Sequence, residues 1–440
     1  MSPFTTPTTV EECVCETTPR RKCNETWTTN CKNYICLVHG IIRITNITCP
    51  EIRRPICRDR KSPVKIITHN GCCHQFECVY ECKIWGDPHY RTFHGINYDF
   101  FGNCTYTAVE EIIPKYNFSV LVDNYYCIEG IPKSCPKQLI IFYKENIITI
   151  SPTNNKLTVN GHDTKIPYFT KEFNITEQWP KTHISIPEIL TNITAADFLF
   201  TISIAESFLT NTRGQCGKCS RRNGTDVSSK CCSTTASEWI YNDIKKPYCQ
   251  GNSTSVPPCE VTPTSTPCPY KHPICDLITG KPFVKCRRKV DIEHFKKTCI
   301  YDNCGTNVIC NSLEAAADEC FKLGFCVNWR PYTNGLCNHT CPHNLVYKAC
   351  PSKTDDRCVN STVEPGTHTS EEGCFCPDGM MMTENSTECV SSCESKLYFS
   401  WNKYELVLIT FREIVFIVRY HLVKHTKVFL NNIKLSLRPS

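Results

Sequence analysis

The chain has 440 residues, 36 cysteines and a formal net charge of +6. Cysteine at about one residue in eleven between Cys13 and Cys393 excludes a reducing compartment, and the even count suits complete pairing into a disulfide scaffold. The charge sits mostly in the tail, where residues 394–440 carry eight Lys/Arg against three acids, so the near-neutral body has no electrostatic reason to bind nucleic acid or an anionic membrane.

In chain order, residues 1–12 are a Thr/Pro-rich stub without the apolar core of a signal peptide, so a fragment of a longer secreted chain is expected. Residues 13–82 hold eleven cysteines and few apolar runs, which predicts a small module held by bridges rather than by a core. Residues 83–250 change to β patterning. Asn117–Tyr126, Leu139–Ile150, His183–Ile189 and Phe198–Ile204 are rich in β-branched and aromatic residues. Asn160-Gly161 between Leu157–Val159 and His162–Ile166 predicts a hairpin with a type I′ turn, because both central residues tolerate positive φ. About 165 residues suffice for a core, so a β-sandwich or barrel-like domain is expected. Residues 251–267 are a Ser/Thr/Pro linker.

Residues 268–337 carry nine cysteines and the clearest helix signal. Asn311 and Glu314 stand at capping-box spacing, Leu313, Ala316, Ala317 and Cys320 share one face, and Gly324 ends the helix. Cys310 and Cys326 flank it, which predicts staples at both ends. Residues 338–393 are a second small cysteine-rich module. The basic tail, 394–440, lacks cysteine and sequons and is expected to lie outside the folded body. Its apolar stretch, Leu406–Val418, is interrupted by Arg412 and Glu413 and is no membrane span. The fold class expected is mainly β: one large sandwich-like domain flanked by small disulfide-rich modules, one with a short α-helix.

Asn-x-Ser/Thr sequons occur at Asn24, Asn46, Asn117, Asn174, Asn192, Asn252, Asn338, Asn360 and Asn385. Two more are set apart: Asn103 has Cys104 as its middle residue, and Asn223 lies near Cys219 and Cys231. With the cysteines, these sequons point to a glycoprotein of the extracellular space.

Several phrases carry a resemblance. Trp85–Thr107 (WGDPHYRTFHGINYDFFGNCTYT) resembles the opening of a von Willebrand factor type D domain, and Asn211–Cys219 (NTRGQCGKC) its closing loop. Residues 268–337 resemble the eight-cysteine module that follows such domains. Cys341–Cys393, with EEGCFCPDGM, resembles a trypsin-inhibitor-like cysteine-rich domain. The order and the phrases DNYYC and SCPKQLI are most similar to the C-terminal D assembly of gel-forming mucins. The resemblance implies bridges from Cys82 to near Cys216 and from Cys104 to near Cys249. It also implies a secreted structural glycoprotein whose partners are other mucin chains or extracellular matrix glycoproteins.

The most distinctive chemistry is Gly86-Asp87-Pro88-His89. An Asp-Pro bond is acid-labile because the side-chain carboxyl sits beside its own main-chain carbonyl and the leaving group is a basic secondary amine. The resemblance implies autocatalytic cleavage between Asp87 and Pro88 at low pH; the bland reading is a turn entering a strand. Cys216-Gly217-Lys218-Cys219 has redox-pair spacing but no thioredoxin-like context, so Cys216 and Cys219 are expected to be structural. The resemblance also raises calcium. Here His94 stands in Thr92-Phe93-His94-Gly95 where the family has Asp, and Lys218 follows Gly217. With only Ser220, Asn223 and Asp226 left as donors, no tight calcium site and no other cofactor is expected. His89 and His94 lie near Asp87 and Asp99 without a nucleophile in a recognisable setting, so no enzyme is expected. The alternatives are a protease inhibitor using Val359–Ser370 as a reactive loop, or an adhesive protein of the von Willebrand type.

Overall fold

The structure, a computed structural model, describes residues 14–58, 63–68, 72–127, 134–217, 236–243, 245–247, 249, 272–302, 308–359, 362–366, 371–383 and 388–393, and the backbone of strands within 396–421. The chain divides into two compact units, residues 1–80 with 205–210, and residues 81–204 with 211–440.

In the first unit, strands are short and the bridges dominate. β1 (Val14–Cys15) pairs with β2 (Arg21–Lys22). β3 (Thr26–Thr29), β4 (Lys32–Cys36) and β5 (Ile42–Asn46) make a three-stranded sheet. β6 (Val64–Thr68) and β7 (Cys73–Glu77) make a hairpin. Disulfides Cys15–Cys36, Cys31–Cys72, Cys49–Cys73 and Cys57–Cys78 tie these pieces together, while Ile41, Ile44 and Ile56 stay exposed. A module this small secures itself by shrinking the entropy of its unfolded state rather than by burying a core. The helical turn α1 (Glu206–Leu209) belongs to this unit and meets Arg58 through Glu206 at 2.8 Å.

The second unit is built on two antiparallel sheets. One has the order β10 (Asn97–Asp99), β9 (His89–Arg91), β8 (Val79–Trp85), β21 (Leu199–Ala205), β20 (Thr191–Ala196), β19 (Lys181–Ile186), β18 (Asn174–Gln178), β17 (Tyr168–Phe169). The other runs β16 (His162–Asp163), β15 (Lys156–Val159), β14 (Asn146–Ser151), β13 (Ser134–Tyr143), β12 (Ser119–Tyr126), β11 (Thr105–Glu111), β22 (Thr212–Arg213). Alternate residues bury the apolar faces: Val120, Val122, Leu139, Ile141 and Ile148 on one sheet, Ile175, Ile184, Ile193, Ile202 and Ile204 on the other. Leu139–Ile150 is not one strand but parts of two, reversed at Lys144, whose φ is +55°. The Asn160-Gly161 turn has φ of 52° and 81°, as a type I′ turn requires, but its second strand stops at Asp163. His183–Ile189 is strand only to Ile186, with a 3₁₀ turn following.

Two helices pack against the first sheet. α3 (Ile309–Lys322) is the helix that the sequence predicts, and α2 (Glu293–Asp302) is an additional one. Leu313, Ala316, Ala317 and Cys320 of α3 are buried together with Phe283, Phe295, Trp329 and the sandwich's Trp85. Disulfides Cys275–Cys299, Cys286–Cys320, Cys310–Cys337 and Cys326–Cys350 hold the helices at their ends and on the buried face. Gly324 follows the helix at φ +82°. The capping box does not form: the helix starts three residues earlier, at Ile309, Asn311 lies within it, and Val308 caps without a side-chain bond. Glu314 instead turns inward to Lys181 at 3.2 Å and Arg330 at 2.8 Å, because two buried cations outweigh one local N–H.

That pairing belongs to a larger set of buried charges. Lys83 of β8 lies 3.3 Å from Asp318 and 3.4 Å from Glu319, Lys322 pairs with Glu81, and Arg330 reaches Glu372 at 2.6 Å. The last of these comes from the C-terminal module, which comprises β23 (Val346–Lys348), β24 (Arg357–Val359), β25 (Thr362–Glu364), β26 (Gly373–Phe375), β27 (Met381–Met382) and β28 (Cys389–Val390). Its bridges are Cys341–Cys374, Cys358–Cys393 and Cys376–Cys389. Cys374 N donates to Trp179 O at 2.8 Å, so the module is docked on the sandwich. The tail contributes a three-stranded meander, β29 (Lys396–Trp401), β30 (Tyr404–Phe411) and β31 (Ile414–His421).

Candidate functional site

Trp85 and His89 face each other across β8 and β9, so Gly86-Asp87-Pro88 is the hairpin connection between them. Gly86 has φ +62°, and a Cβ there would lie 2.7 Å from Asp302 Oδ2, so both the turn and the close approach require glycine. Main-chain bonds hold the turn on both sides: Gly86 N donates to Phe198 O at 3.1 Å and Phe100 N to Pro88 O at 3.3 Å. Asp87 is fully buried, its Oδ1 3.6 Å from Sγ of Cys135, which is bridged to Cys127.

His89 is 1 % exposed and lies between two carboxylates. Its Nδ1 is 2.6 Å from Asp99 Oδ1, and its Nε2 is 2.8 Å from Asp302 Oδ1 on α2. Burial alone would lower its pKa, but Asp302 and Asp99 together push it up to about 10, so the imidazole is a cation donating from both nitrogens. Burial raises the Asp99 carboxyl, but the His89 charge more than offsets this and leaves its pKa lowered. Ser312 of α3 donates to Asp302 Oδ2 at 3.0 Å and accepts from Trp85 Nε1 at 3.1 Å. The Tyr301 ring packs edge-on to His89 at 5.8 Å, and the Trp85 ring lies at 5.6 Å. The site is thus an Asp-Pro bond in a buried turn, flanked by an ion triad that spans sheet and helix.

The two carboxylates satisfy His89 structurally, whereas the roles of Asp302, Ser312 and α2 are not legible in the sequence. One signal was present: Phe295, Thr298, Cys299 and Asp302 repeat at i, i+3, i+4, i+7 and are all buried, which places a carboxylate on an apolar stripe.

The other residues singled out are distributed as follows. Cys82 is bridged to Cys216 and Cys104 to Cys249, at sequence separations of 134 and 145, and both bridges close the sandwich. Every described cysteine is disulfide-bonded. Cys219, Ser220, Asn223 and Asp226 lie outside the described residues, as do Asn252, Asn360 and Asn385. Thr92–Gly95 is a tight turn in which the Thr92 hydroxyl accepts from His94 N and Ile96 N. Of the sequon asparagines, Asn24, Asn46, Asn117, Asn192 and Asn338 are exposed, Asn174 is half-buried, and Asn103 is half-buried beside the bridged Cys104. No helix among the described residues is long and apolar enough to cross a membrane.

Residues 82–230 match the von Willebrand factor type D domain and residues 274–338 match the C8 domain. The chain is 33% identical over 383 residues to the intestinal mucin-like protein of Rattus norvegicus, covering 82% of this chain and 45% of that protein. It is 32% identical to Mucin-2 of Homo sapiens and 33% identical to Mucin-5AC of Homo sapiens, over 85% and 84% of this chain but 8% and 7% of theirs. The chain therefore spans less than half the length of these relatives. It carries a von Willebrand factor type D domain followed by a C8 domain, in a stretch similar to mucins over more than four-fifths of its length.

Proposed function

We propose that this chain is part of a secreted, non-enzymatic, gel-forming mucin glycoprotein whose work is mechanical. Its partners are other mucin chains or extracellular matrix glycoproteins, and its modules resist shear and proteolysis because covalent bridges close them. The observation that carries this reading is the covalent closure itself: every described cysteine is bridged, and Cys82–Cys216 and Cys104–Cys249 close loops of more than a hundred residues. The segment 338–393 is read as a trypsin-inhibitor-like domain used structurally, supported by its docking through Cys374, Glu372 and Arg330. The test is expression behind a secretory leader. The chain should leave the cell with no alkylatable thiol and should lose mass on enzymatic removal of N-glycans. A secreted chain with several reactive thiols would overturn the reading.

The Asp87–Pro88 turn is read as an acid-triggered cleavage site. The Asp87 side-chain carboxylate attacks the Asp87 main-chain carbonyl, and a C–O bond forms as the C–N bond to Pro88 breaks. The proline nitrogen leaves with a proton taken from the acidic solvent. The resulting cyclic anhydride is opened by water to a C-terminal aspartate. Because Cys82 lies before the cut and Cys216 after it, the two pieces stay joined until reduced. Incubation at about pH 5–6 should give two bands on a reducing gel only, with a new N-terminus beginning at Pro88, and the rate should rise toward the ordinary aspartate range near 3.9. Cleavage that persists in Asp87→Ala would exclude the mechanism.

A further inference from the structure

The carboxylate of Asp302 comes from the C8 domain, yet it touches the chain on both sides of the scissile bond. Oδ1 is bonded to the His89 ring, one residue past Pro88, and Oδ2 lies against Gly86, one residue before Asp87. It is itself aimed by the Ser312 hydroxyl at 3.0 Å, and its side chain is 0% exposed. Its helix is anchored by Cys275–Cys299. Taking the cleavage reading as given, we propose that Asp302 is a positioning residue for rupture of the Asp87–Pro88 bond, so that the C8 domain completes a site whose reacting atoms all belong to the D domain.

The physical reason is the geometry of a five-membered ring closure. The Asp87 carboxylate must approach its own carbonyl carbon along a narrow range of directions, and the main-chain torsions of Asp87 determine that range. A residue that holds the His89 ring by a hydrogen bond and packs closely against Gly86 restricts those torsions from both ends. Without Asp302 the His89 ring would keep Asp99, which is 44% exposed and pins only the far side of the bond. The charged and titratable groups facing His89 are Asp99 on β10, Asp302, Tyr301 and His294 on α2, and Asp87 and Arg91 on its own segment. Of these, Asp302 and Asp99 sustain the imidazolium.

The experiment uses the full chain with its disulfides intact. Asp302→Asn keeps the shape and removes the charge. At about pH 5.5 it should cleave roughly tenfold to a hundredfold more slowly than the unaltered chain. The His89 ring resonances should then titrate at lower pH by NMR, a readout independent of cleavage. Ser312→Ala, which leaves the charge but releases the carboxylate's orientation, should cleave several-fold more slowly. It decides the matter if Asp302→Asn does not fold. An unchanged or faster rate in a variant that retains the Cys82–Cys216 bridge and the native melting temperature would overturn the role of Asp302 alone. An unaltered chain that stays intact after prolonged mild acid would overturn the cleavage reading beneath it.

Discussion

At the scale of single residues, two histidines of the second unit, the buried His89 and the half-buried His339, respond to pH in opposite senses. His89 is held cationic between two carboxylates, with its pKa raised to about 10. Its stabilising contribution is complete below the unfolded value of 6.5 and is lost as pH rises through 10. His339 is the reverse. Burial first, then the Arg330 charge, pulls its pKa down to about 4. The unfolded chain binds a proton there between pH 6.5 and 4 and the folded chain does not, so this residue makes the fold less stable as pH falls through that window. Melting temperature should therefore drop between pH 6.5 and 4.5, and His339→Gln should flatten part of that drop. The slope is read from thermal denaturation at stepped pH, and an equal slope in both proteins would refute the assignment.

At the scale of elements, covalent closure matters more than any one contact. The Cys82–Cys216 bridge ties β8 to the end of the sandwich, and Cys104–Cys249 ties β11 to the segment that follows it. On the chain-entropy estimate, closing loops this long stabilises by about 5 kcal/mol each, near the total stability of an ordinary domain. Replacing Cys104 and Cys249 together by alanine should therefore lower the denaturant midpoint severely or prevent secretion. The same logic applies to α3, which is held by three bridges at Cys310, Cys320 and the nearby Cys326 and also carries Glu314, Asp318 and Glu319 into buried ion pairs. Removing one member strands a buried charge, so Lys181→Met should destabilise by about 3–5 kcal/mol, measured by chemical denaturation.

At the scale of the molecule, buried ion pairs of the second unit tie the D domain to the C8 domain, and Cys326–Cys350 with Arg330–Glu372 ties the C8 domain to the module that follows. Arg330 meets both Glu314 of α3 and Glu372 of the C-terminal module. The tail, residues 394–440, is read as standing outside the folded body: it carries most of the net charge and no cysteine. A chain ending at residue 393 should be secreted and should melt as the full chain does; a clear loss of either would show that the β29–β31 meander packs on the fold.

Local chemistry made much of this legible in one dimension. Cysteine density dictated the disulfide scaffold, the Asn-Gly turn its hairpin, and the apolar spacing of Leu313, Ala316 and Cys320 their helix, because each rests on torsion preference or periodicity within a few residues. The proposed cleavage at Asp87–Pro88 is equally local, since nucleophile and carbonyl belong to one residue. The sequence could not reveal that Asp302, more than two hundred residues away, closes on His89, nor that Glu314 abandons its cap for Arg330 and Lys181. Both depend on which charges the folded chain buries together, and a carboxylate's pull on a cation in a dry interior is decided by distance in space, not along the chain.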